Sequence, residues 1–256
     1  MSENSWKSSI TEIGPGIIRA RGYDVPDLME NCSFAEVVFL ILKGELPSAA
    51  EAKMMEAILV SSIDHGVSPP SVLGARTIMS AGNSLNTAVA AGVMAIGDVH
   101  GGAIEQAARI FQGWSAKEGD LDTIAGQLID DMKSQGKRLP GFGHRLHSTD
   151  PRTLKLFEIA QRLDFSGRNI EFCKAVEKML EQKSGKRLPI NVDGAIAAVI
   201  SDMGFDWRLG KGFFIISRVP GLIAHVYEEK TTQKPMRKLG NTDCEYIGPA
   251  HRKVSK

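Results

Sequence analysis

Three short stretches hold the residue types that proton chemistry needs: His100 in Val99-His100-Gly101-Gly102, His144 in Pro140-Gly141-Phe142-Gly143-His144-Arg145, and Asp193 in Asn191-Val192-Asp193-Gly194. Two imidazoles and one carboxylate, each beside glycine or a turn residue, are spread along the chain as in a site assembled from several elements. Such a set suits chemistry at the carbon next to a thioester carbonyl. There a carboxylate removes or returns a weakly acidic proton while neutral donors hold the enolate oxygen. Gly101, Gly102, Gly141 and Gly143 let backbone amides approach a ligand, because glycine has no side chain in the way. Each residue also has a plainer reading. His100 could be a turn histidine bonded to backbone, His144 a surface loop histidine, and Asp193 the N-cap of a helix beginning near Gly194, a position that aspartate favours.

Helices must position these groups. Phe34, Val37, Val38, Ile41 and Leu42 recur at helical spacing, Gly44 stops the segment, and a second amphipathic stretch from Ser48 through Val60 follows Pro47, which predicts a helical hairpin. Alanine-rich, small-residue segments at 71–80, 87–95 and 103–114 predict closely packed helices. Further helices are expected at 121–134, 152–163, 170–183, 194–203 and 212–229. No run of alternating strand residues stands out, so the fold is read as mainly α.

The 256 residues, 43% hydrophobic with a formal charge of +1, suffice for one substantial core and carry no basic footprint for nucleic acid. The start of the chain has no apolar signal core, and no apolar run approaches the ~20 residues of a membrane span, so a cytoplasmic protein without membrane partners is expected. Cys32, Cys173 and Cys244 lack metal-ligand spacing, and no metal is expected.

Taken together, His100-Gly-Gly, Pro-Gly-Phe-Gly-His144 with Asp150-Pro151-Arg152 just after, and Asn-Val-Asp193 resemble the three catalytic motifs of the citrate synthase superfamily, in the same order. The stretch Ile17-Ile18-Arg19-Ala20-Arg21-Gly22-Tyr23 and the helix ending Leu42-Lys43-Gly44-Glu45-Leu46-Pro47 extend the resemblance to about 13–249. Ile96-Gly97-Asp98, Gly194 directly after Asp193, and Asp202-Met203 are closer to citryl-CoA lyase, the carboxy-terminal module of ATP-citrate lyase, than to the synthases. The chain departs from that module in keeping His100 where it often carries an aromatic residue.

The resemblance implies a two-lobed helical fold spanning 1–256, with a large lobe of 1–135 and 220–256 and a small lobe of 136–219. It implies retro-Claisen cleavage of citryl-CoA to acetyl-CoA and oxaloacetate, or, as alternatives, synthesis of citrate or 2-methylcitrate, or a non-catalytic acyl-CoA-binding subunit. His100 would hold the thioester oxygen, His144 would serve the hydroxyl or ketone oxygen, and Asp193 would exchange the methyl proton. Citrate-binding groups would be His65, Arg152 and Arg218, with Lys234 or Arg237 reaching in from a second subunit of a homodimer or homotetramer. The loop from His144 to Arg152, which contains His147, is one residue shorter than in most synthases. Coenzyme A, a substrate rather than a tightly bound cofactor, would contact Lys137, Arg138, Leu139, Gly141, Phe142, Gly143, Lys186 and Arg187. No Gly-x-x-x-x-Gly-Lys-Ser/Thr loop is present, so ATP-driven formation of citryl-CoA would need a separate synthetase.

Overall fold

The computed structural model describes residues 6–143, 150–237 and 246–254. It opens with three short antiparallel strands, which the sequence reading did not anticipate: β1 (Thr11–Gly14), β2 (Ile17–Ala20) and β3 (Tyr23–Asp24), in the order β1-β2-β3. They are two to four residues long, too short for alternation to register, and their turns place them instead. Gly16 at φ 72° follows Pro15, while Arg21 and Gly22, at φ 50° and 88°, close the second hairpin in the left-handed region.

Helices follow. α1 (Val25–Asn31) carries Pro26 in its first turn. α2 (Phe34–Lys43) and α3 (Ala49–Ser61) each start with a full capping box, Ser33 with Glu36 and Ser48 with Glu51, and α2 ends on Gly44 in the left-handed conformation. The small-residue helices are α4 (Pro70–Ser80), α5 (Leu85–Met94) and α6 (Ala103–Ser115), followed by α7 (Leu121–Ser134), α8 (Pro151–Arg162), α9 (Arg168–Ser184) and α10 (Val192–Asp202). A 3-10 turn at Trp207–Leu209 leads into α11 (Gly210–Thr232). Each expected segment matches an observed helix within two or three residues, whereas α1 was not among those expected.

Two helices carry most of what matters for the site. In α10 every residue from Gly194 to Ser201 is buried, because it lies against α6, α8 and α9, and its small residues Gly194, Ala195, Ala197 and Ala198 let those neighbours close in. α11 is long and apolar enough to cross a membrane by length and composition, which the reading of apolar runs missed. It packs instead against α3, α4, α5 and α6, burying Phe213, Phe214, Leu222 and Val226 together with Arg218 and Glu229. One large core joins α2, α3, α6, α7, α8, α9, α10 and α11, a smaller one joins α4, α5 and the second half of α11, and a third lies under the strands.

Candidate active site

A cleft of about 930 Å³ opens between the turn at 97–101, the loop at 62–70, the turn at 138–143, the start of α8 and the first turn of α10. His65, His100, Arg138, Leu139, Gly143, Arg152, Asp193 and, from α11, Arg218 all line it, so residues from six separate segments converge on it. His144 and His147 lie outside the described residues.

Asp193 sits half-buried on the first turn of α10. It is not the cap: Asn191 supplies that role, its Oδ1 accepting from the backbone of Asp193 at 3.1 Å and of Gly194 at 3.2 Å. The Asp193 carboxylate is therefore left to the cleft. Desolvation pushes its pKa above the ordinary carboxylate value, against the pull of Arg152 and Arg218, and the charge of Asp150 adds to the rise. A carboxyl group poised this way exchanges protons more readily near neutral pH than a solvated one.

His100 is fixed by a tight turn in which Gly97 and His100 exchange backbone hydrogen bonds of 2.9 and 3.1 Å. Gly101, at φ 80°, lies so close under Phe214 that a Cβ there would come within 2.6 Å of the ring. The His100 ring meets Phe214 edge to face at 5.8 Å, and its Nε2 is 2.8 Å from Oγ of the fully buried Ser71 on α4. Desolvation lowers its pKa and the charge of Arg218 lowers it further, so the imidazole is neutral at pH 7. With Nε2 tied to Ser71, Nδ1 is left for a ligand. Ser71 escaped the sequence reading because it lies 29 residues upstream on another helix, with no local signal. Ser71→Ala is expected to lower kcat by about tenfold, the worth of one buried hydrogen bond, with KM little changed; a KM effect alone in steady-state kinetics would contradict this.

The cationic side is equally constrained. Arg218, 2% exposed, donates Nε to the Ser62 carbonyl at 3.0 Å and stacks over Phe214 at 4.7 Å, while its buried Nη1 has no hydrogen-bond partner among the described residues. An unpaired guanidinium nitrogen lining a cleft is suited to an incoming carboxylate. Arg152 donates Nε and Nη2 to the two oxygens of Asp150 at 3.0 and 2.9 Å. Asp150, fully buried, also accepts from Val192 N at 3.2 Å, so it fastens Arg152 to the start of α10. Burial pushes the Asp150 carboxyl up, but the Arg152 guanidinium and the backbone donors hold it below its ordinary value. Its place in Asp150-Pro151-Arg152 was legible, its role was not.

The remaining expected contacts divide. Arg138, Leu139 and Gly143 line the cleft, whereas Gly141 and Phe142 turn inward, Gly141 against Gly194 and Phe142 edge to face with Phe111 at 6.2 Å. Lys137, Lys186 and Arg187 are exposed and do not line it. Lys234 is exposed, and Arg237 pairs with the buried Glu229 at 2.9 Å; neither lines this chain's own cleft. No cluster of three metal-binding side chains occurs among the described residues.

Comparison with known proteins places the chain in a family. The family model described as citrate synthase, C-terminal domain, matches residues 2–54 and 47–239. The citryl-CoA lyase of Hydrogenobacter thermophilus superposes with a TM-score of 0.91 at 49% identity, covering 98% of this chain and 97% of that one. A probable ATP-citrate synthase of Dictyostelium discoideum is 32% identical over 238 residues, 85% of this chain but only 37% of that protein. The citrate/2-methylcitrate synthase of Bacillus subtilis is 29% identical over 233 residues, 89% of this chain and 59% of that protein. The chain thus spans between a fifth and little more than a third of the length of the ATP-citrate synthases it matches, from 20% to 37%. It belongs to the citrate synthase family.

Proposed function

We propose that the protein cleaves citryl-CoA to acetyl-CoA and oxaloacetate. The observation that carries this is the convergence in one cleft of the desolvated Asp193, the neutral His100 and the guanidinium groups of Arg152 and Arg218, in a chain 49% identical to a citryl-CoA lyase along its whole length. The arginines take the carboxylates of the citryl group, with His65 beside them, and Arg138 and Leu139 border the coenzyme A moiety. As the carbon–carbon bond breaks, the hydroxyl proton leaves, which the resemblance assigns to His144, and the electron pair moves to the acetyl carbon to form an enolate. His100 holds the enolate oxygen by a neutral hydrogen bond, and the Asp193 carboxyl returns a proton to the methylene carbon. A separate polypeptide that makes citryl-CoA, a cytoplasmic location and a homodimer or homotetramer in which Lys234 of a second copy completes the site belong to the same reading, as do two lobes that close on the ligand.

The similarity to Bacillus subtilis citrate/2-methylcitrate synthase favours a second reading, in which the same groups run the condensation and water then cleaves the thioester. Purified protein given citryl-CoA is expected to release oxaloacetate with little free coenzyme A. Stoichiometric coenzyme A and citrate from acetyl-CoA plus oxaloacetate would make it a synthase, and inactivity with both would favour a binding subunit.

A further inference from the structure

A second cavity, of about 370 Å³, lies between α3 and α8, walled by Ala57, Val60, Leu156 and Ile159 with Ser61 and Lys155 at its edges. Its size falls in the range of small-ligand sites. Its position is informative, because Arg152 lines both this cavity and the cleft. Nε and Nη2 of that guanidinium are given to Asp150, and Nη1 makes no hydrogen bond with another described residue. The walls are apolar, the two cationic side chains lie on successive turns of α8, and Val60 stands 61% exposed at the opening. An apolar slot with a guanidinium at one end is complementary to a carboxylate carrying an unbranched alkyl chain.

We propose that this cavity binds a medium-chain alkyl carboxylate, whose head group engages Arg152 from the side opposite the cleft. The inference rests on the reading of Arg152 as a substrate-binding group for its consequence, but not for the binding itself. A carboxylate on Arg152 from behind draws the guanidinium from the cleft and competes with the substrate's own carboxylate, so occupancy raises KM for citryl-CoA and leaves kcat unchanged.

Calorimetry with octanoate, hexanoate and octan-1-ol tests the site without turnover. Octanoate is expected to bind about 16-fold more tightly than hexanoate, from two further buried methylenes at about fourfold each, and about tenfold more tightly than the alcohol. Val60→Trp, which fills the mouth from an exposed position, should abolish octanoate binding while leaving basal activity unchanged; Ile159→Ala, which widens the slot, should weaken it. Equal affinity for octanoate and octan-1-ol would remove the carboxylate's part and overturn the proposal, as would unaltered binding to Val60→Trp or no binding at millimolar concentration. If the protein proved to have no lyase activity, the calorimetric result would stand unaffected. Octanoate binding without a change in KM would overturn the competition through Arg152.

Discussion

Asp193→Asn is expected to abolish turnover almost completely and at the same time to make the protein more stable. Loss of a group that moves a proton at carbon costs about 10²- to 10⁴-fold in rate, and the amide, close in shape, leaves the cap on Asn191 and the backbone of α10 in place. The stability gain follows from the sign of the pKa shift. Desolvation raises the Asp193 pKa above its ordinary 3.8, so the folded protein holds this proton more tightly than the unfolded chain. The associated stability is fully present below the unfolded pKa and is lost as pH rises through the folded one. At pH 7 the carboxylate therefore weakens the fold, and asparagine removes that cost. The melting temperature of the variant should exceed that of the wild type at pH 7, and the difference should vanish below the ordinary carboxylate pKa. A lower melting temperature at pH 7 would show that the attraction of Arg152 and Arg218 outweighs burial. The pH profile has a related expectation: His100 is already neutral at pH 7, so the rate should show no histidine limb from it between pH 7 and 8.

Gly194→Ala should cost both stability and substrate binding. A Cβ at Gly194 would fall 2.4 Å from the carbonyl oxygen of Gly141, and one at Gly141, itself at φ 86°, would fall 2.7 Å from the Cα of Gly194. The two backbones are further stitched by Asn191 N to Gly141 O at 3.0 Å, Gly143 N to Pro189 O at 2.7 Å, and Asn191 Nδ2 to Gly143 O at 2.9 Å. An added methyl must push the 138–143 turn away from α10, a clash worth about 1–3 kcal/mol and about 2–4 °C of melting temperature per kcal/mol in a chain of this size. Because Arg138, Leu139 and Gly143 line the cleft from that turn, KM for the coenzyme A thioester should rise more than kcat falls. Gly113→Ala serves as the comparison. Its position on α6 is exposed, with nothing within 4 Å of an added Cβ, so alanine there should be neutral or stabilising by up to about 1 kcal/mol.

The amino-acid order by itself determined most of the helical layout and singled out the candidate groups. Capping serines at 33 and 48, glycine at 44 and apolar spacing in α2 and α3 act within one or two turns, so they are written locally. The motifs around His100 and Asp193 announced themselves by residue type and neighbouring glycine. The strands at 11–24 were illegible because pairing between such short segments is decided by their turns rather than by alternation. The apolar length of α11 became intelligible only once α3, α4, α5 and α6 were seen around it.

Tertiary structure decided the chemistry of each group. Whether Asp193 caps a helix or faces the cleft depended on Asn191 taking the cap, and the rise in its pKa on a desolvation that outweighs two arginines from other helices. Ser71 is recognisable as the partner of His100 only because α4 passes beside the 97–101 turn. Arg237, one of the two basic residues expected to reach into a second subunit's cleft, is paired with Glu229 of its own chain, an ion pair that no local sequence pattern announces. Local propensities act over a few residues, whereas desolvation and charge act through space on whatever the fold brings near. The sequence therefore names the candidate groups, and the packing shifts their proton affinity and sets their surroundings.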